Sequence, residues 1–96
     1  MNKPALRNIE RLGNSAESMF NAYYWLCRQM QQQVAQVLGI DEFEVSVFVD
    51  NQAGNKVCIT VENEHCKCVG MYLDKFLELA EKPNFTAQDF YKNTMT

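Results

Sequence analysis

"NAYYWLCRQMQQQVAQVL", residues 21–38, decides how the rest of the chain is read. In a helix, consecutive residues point about 100° apart, so Tyr23, Tyr24 and Trp25 cannot all enter one core. Apolar residues nevertheless recur at helical spacing: Met19, Phe20, Tyr23, Leu26, Cys27, Met30, Val34, Val37 and Leu38. They predict a helix over residues 15–38 with one broad buried face, ended by Gly39 as its C′ residue. If that face is centred on Tyr23 and Met30, Trp25 projects away from it. Around it lie Asn21, Gln29, Gln32 and Gln36, with Tyr24 on one flank, and Arg28 is the single charge between Ser18 and Ile40. A solvated helix back normally carries Lys and Glu. Charge depletion combined with aromatics and an arginine is the composition of an interface core. Asn21, Tyr24, Trp25, Arg28, Gln29, Gln32 and Gln36 are therefore expected to form an interface. A symmetric homodimer is favoured, being the commonest oligomer.

Length points the same way. A helix over 15–38 spans about 36 Å, whereas a seven-residue strand spans about 23 Å. The helix overhangs its sheet, and its apolar overhang needs a cover. Upstream, Pro4 suits a first helical turn and predicts a short helix over 4–12. Gly13 then reads as a stop, with Asn14 as the next N-cap and Glu17 completing a capping box. A helix running straight through Gly13 costs about 1 kcal/mol relative to alanine.

Downstream, residues 43–49 alternate, with Phe43, Val45, Val47 and Val49 inward, and predict a strand. Residues 50–55 are turn chemistry, with Gly54 and Asn55 able to take positive φ. A second strand over 56–62 places Val57, Ile59 and Val61 inward. Asn63 and Glu64 form a two-residue turn into a third strand over 65–69. In that register Glu62 faces His65 and Val61 faces Cys66. Cys66 and Cys68 then lie inside, while Cys58 and His65 lie outside. Gly70 breaks the strand, residues 71–82 form an amphipathic helix ended by Pro83, and residues 87–94 form the last helix. Thr86 is its N-cap, Asp89 its N3 residue, and Phe85 staples onto Phe90. The expected fold is α+β in two layers: a three-stranded antiparallel meander packed against helices, order α(α)βββαα, with a long N-terminal helix and one domain over 1–96.

Composition narrows the function. The chain of 96 residues is 47% hydrophobic and carries a net charge of −3. Residues 1–40 hold four basic and two acidic side chains, and residues 41–96 hold ten acidic and five basic ones, so the halves carry +2 and −5. No apolar run reaches the roughly 18 residues of a membrane span, and residues 1–7 lack a signal-like apolar region. The expectation is a cytoplasmic protein with reduced cysteines and no membrane contact. There is no phosphate-cradling glycine loop, nucleophile elbow or carboxylate cluster, and His65 is the lone histidine. No enzyme and no cofactor are expected. Cys58, His65, Cys66 and Cys68 are the candidates for a metal- or redox-responsive regulator. However, C-x-C is not the usual zinc spacing, and the register splits the set between two faces.

The α-β-β-β-α order is shared with double-stranded-RNA-binding domains. The second amphipathic helix, however, carries Asp74, Glu78 and Glu81 where a phosphate-gripping surface needs clustered Lys and Arg. An RNA-binding domain is thus the minor alternative, and no direct nucleic-acid contact is expected. What fits best is a small protein–protein interaction module, a homodimeric adaptor or inhibitor. Phages and mobile elements encode such chains against host nucleic-acid-binding complexes, anti-CRISPR proteins among them. Glu42, Glu44, Asp50, Glu62 and Glu64 would then face a basic protein partner.

Overall fold

The computed structural model describes residues 3–64 and 66–94, with only the backbone for Lys3, Pro4 and Cys66. Its first element is one continuous helix, α1 (Lys3–Leu38). The expected break at residues 13–14 is absent. Glycine weakens a helix without forbidding it, and the helix-forming residues on both sides outweigh one unfavourable position. Nothing lies within 4 Å of where a Gly13 Cβ would be. Gly39 closes the helix at φ +69°, in the left-handed conformation expected of a C′ residue.

A single 3₁₀ turn (Glu42–Glu44) follows, capped by the Asp41 carboxylate, which accepts the Phe43 N–H at 2.9 Å. That turn takes Phe43 out of the expected strand and leaves it 82% exposed. The sheet is β1 (Val45–Asp50), β2 (Lys56–Asn63) and β3 (Cys66–Tyr72), antiparallel in the order β1-β2-β3. Gly54 and Asn55 carry positive φ in the first turn, as their residue types predict. Two short helices close the chain, α2 (Leu73–Ala80) and α3 (Ala87–Lys92).

The β2–β3 register departs from expectation. Val61 pairs with Val69, Ile59 with Met71 and Cys58 with Tyr72, with an irregularity between Val61 and Asn63. The third strand is therefore displaced by three residues from the two-residue-turn register. An odd displacement exchanges the two faces of a strand. Val69 and Met71 point inward, whereas Cys68 is exposed. Gly70 lies inside β3 rather than ending it. A Cβ there would come within 2.7 Å of the Ile59 carbonyl oxygen and of Thr60 Cγ2, so only glycine allows this approach of β2 and β3.

The core forms on one face of the sheet. Val45, Ile59, Val61 and Met71 meet Val34, Ala35 and Leu38 of α1, Phe76 and Leu79 of α2, and Phe90 of α3. Phe76 organises the C-terminal pair of helices. Its ring stands edge-on to Phe85 and to Phe90, so the two staple rings meet through it. The capping box at Thr86 is present, with the Thr86 N–H donating to the Asp89 carboxylate at 2.9 Å. The α+β order is the one the sequence predicts, but only the last third of α1 helps build the core.

Candidate interaction surfaces

A helix of 36 residues rises about 54 Å, and strands of six to eight residues cover less than half of that. The chain accordingly measures 62 × 25 × 24 Å. From Ala5 to Ala22 every residue of α1 is exposed. The sheet meets α1 on a flank defined by Cys27, Gln31, Val34, Ala35 and Leu38, where Gln31 Nε2 donates to the Glu42 carbonyl at 2.7 Å. This corrects the expected orientation. Leu26 and Val37, placed in the home core by their spacing, are exposed, and so are Met19 and Phe20. Tyr23 is half-buried and its hydroxyl accepts the Val49 N–H at 2.8 Å.

A set of apolar positions on the helix, exposed except for the half-buried Tyr23 and Met30, is regular. Ala5, Ile9, Leu12, Ala16, Met19, Tyr23, Leu26, Met30 and Val37 follow alternating steps of four and three residues, broken only at Gln33. That is a heptad seam, the pattern by which helices pair side by side. Its flanking positions carry no charge: Leu6, Gly13, Phe20, Cys27 and Val34 on one side, Asn8, Ser15, Ala22, Gln29 and Gln36 on the other. Dividing the helix at Gly13 hides this repeat, which becomes visible only when residues 5–37 are counted in one phase.

The expected Trp25 interface is split. Asn21, Tyr24, Trp25 and Arg28 line an open groove of about 530 Å³ between α1 and β1, together with Val45, Ser46 and Val47. Trp25 is 61% exposed there. Gln29, Gln32 and Gln36 do not line that groove. A second groove, of about 280 Å³, runs along the other side of α1. Met30, Gln33, Val34 and Val37 face Leu73, Phe76, Leu77 and Ala80 of α2 across it. It continues the heptad seam into the body of the domain.

The expected acidic surface is divided as well. Glu42, Glu44, Glu62 and Glu64 belong to one end of the sheet, where the start of β1 pairs with the end of β2. Asp50 is at the opposite end, paired with Lys56. Its carboxylate accepts the Gln52 N–H at 3.0 Å and the Tyr72 O–H at 3.0 Å, so it is engaged in local structure. Lys56 Nζ sits over the Tyr72 ring, 5.6 Å from its centroid.

Among the described residues, no three His, Cys, Asp or Glu side chains gather as a metal site would require. His65 and the Cys66 side chain lie outside the described residues. Cys58 and Cys68 share the outer face of the sheet, contrary to the expected register. The Cys58 thiol is held above its ordinary value by burial first, then by the Asp50 and Cys68 charges, which suits an unreactive thiol. No described helix is long and apolar enough to cross a membrane. Comparison of the chain with protein-family models, curated proteins and solved structures finds no match.

Proposed function

We propose that this chain is a non-enzymatic protein–protein interaction module, a homodimer assembled through α1 that serves as an adaptor or inhibitor. One observation carries the reading: the seam positions of α1 are exposed from Ala5 to Met19 and again at Leu26, with Tyr23 between them half-buried. Monomeric proteins rarely expose apolar patches beyond a few hundred Å², and an isolated helical arm of this length is marginal in water. Self-association resolves both difficulties. The Trp25 groove and the acidic end of the sheet then remain for a second, basic protein partner.

Light scattering tests the dimer. A mass of twice 11.1 kDa is expected at about 100 μM, and a monomeric mass at that concentration overturns the reading. Two variants locate the interface. Leu26→Ala, on the seam, is expected to raise the dissociation constant about tenfold or more, whereas Trp25→Ala, off the seam, leaves it within about threefold.

A further inference from the structure

We infer that α1 pairs antiparallel with α1 of a second copy, so that the basic N-terminal arm of each chain lies in the α1–α2 groove of the other. This rests on the homodimer reading and adds the orientation and the groove's occupant.

Space around the seam favours the antiparallel pair. At Met30, Gln33 and Val37 the seam is flanked by α2. A parallel pair brings two α2 helices to the same level, where they compete for one groove. In an antiparallel pair each α1–α2 groove receives residues 5–12 of the partner, part of an exposed stretch that carries no packed element of its own.

Side-chain sizes match in the same orientation. The alignment that overlaps the whole helix sets residue i level with residue 42 − i of the partner, because α1 runs from Lys3 to Leu38 and antiparallel seams alternate the two heptad positions. Ala16 then meets the partner's Leu26, Ala5 meets the partner's Val37, Leu12 meets the partner's Met30, and Met19 meets the partner's Tyr23. The two alanines lie opposite larger residues, which fills those layers, and Ile9 meets the partner's Gln33. In a parallel pair Ala16 faces the partner's Ala16 and leaves a gap.

Charge independently favours the same orientation. The arm carries Lys3, Arg7 and Arg11 against Glu10 and Glu17, whereas residues 41–96 hold ten acids and five lysines. Antiparallel pairing sets the basic arm along the acidic body, including Asp74, Glu78 and Glu81 on and beside α2. Parallel pairing sets arm on arm and body on body. The exposed apolar surface is also sufficient. Leu6, Ile9, Leu12, Met19, Phe20 and Leu26 are each about half exposed or more. With Val37 and Leu77 they present on the order of 800 Å² per copy, one partner's share of a standard interface.

A nitroxide amino acid placed at the exposed Arg7 of the full chain, introduced without using cysteine, reads the orientation by dipolar spectroscopy. Position 7 lies level with position 35 of the partner, so the two labels are expected about 45 Å apart; a parallel pair brings them to about 20 Å. A dimer giving the short distance overturns the antiparallel arrangement and leaves the homodimer standing. A monomer at about 100 μM overturns the homodimer itself. The size match is tested by exchange. Ala16→Leu and Leu26→Ala are each expected to raise the dissociation constant about tenfold, and the double variant to return within about threefold of the original. A double variant as weak as the worse single one overturns the register.

Discussion

At Tyr23 the ring belongs to the seam while the hydroxyl accepts the Val49 N–H at 2.8 Å. The phenol thereby ties α1 to the backbone of β1. Tyr23→Phe keeps the ring and removes the acceptor, so unfolding in urea is expected to show a loss of about 1 kcal/mol. On the outer sheet face, Asp50 links two groups that keep their protons more tightly when folded. Tyr72 is raised above its ordinary 10.0, first by its hydrogen bond to Asp50, and buried Cys58 is raised above 9.0, first by burial. In both cases the unfolded chain releases the proton at lower pH than the folded one. Stability is therefore complete below the ordinary values and falls as pH climbs from about 9 through the raised folded ones. Asp50 contributes to both shifts, so Asp50→Asn is expected to flatten the fall in melting temperature between about pH 9 and pH 11. An unchanged slope would assign the alkaline loss to other groups.

Among the elements, legibility followed the range of the interactions that fix them. The helix stop at Gly39 and the box joining Thr86 and Asp89 depend on nearest neighbours, and their residue types predict them. The β2–β3 register depends on a turn of ordinary composition and on the close strand approach at Gly70. Asn63 and Glu64 therefore suggest a tighter hairpin than the one that forms, and one odd shift at Val61 and Val69 puts Cys68 on the outer face. The candidate site was half legible. The charge-free back with Trp25 stands out in composition, but the seam through Gly13 is a long-period pattern that a local stop signal interrupts. Gly13 also gives the element its own prediction. It is helical, exposed and without a neighbour within 4 Å of its missing Cβ, so Gly13→Ala meets no clash. Helix content by circular dichroism is expected to rise, with about 0.5–1 kcal/mol of added stability. Hydrogen exchange along α1 extends this: amides of residues 30–38, packed on the core, exchange slowly at any concentration. Those of residues 5–22 slow down only as the protein is concentrated.

Over the whole molecule, the radius of gyration is 17.9 Å, against about 12–13 Å for a compact domain of this length. The excess is the projecting arm of α1. A single copy thus joins a small, one-sided core to a helix whose first half is exposed to solvent, and the two parts differ in what stabilises them. The core of Ile59, Met71 and Phe90 is intramolecular, whereas in the proposed homodimer the arm depends on mass action. Met19 separates these contributions because it is 74% exposed in the single chain and central in the seam. Met19→Glu places a carboxylate in water in the monomer but in an apolar layer in the dimer, where an unpaired charge costs about 3 kcal/mol or more. The dissociation constant is expected to rise more than about 100-fold. The wild-type melting temperature should climb with protein concentration, as it does for any fold coupled to association. That of Met19→Glu should not change with concentration, while its near-ultraviolet aromatic signal stays native because Phe76, Phe85 and Phe90 remain packed. Salt then distinguishes the orientations. Antiparallel pairing attracts basic arm to acidic body, so the wild-type dimer should weaken as ionic strength rises. A dimer that tightened as sodium chloride was added would overturn the attraction between basic arm and acidic body.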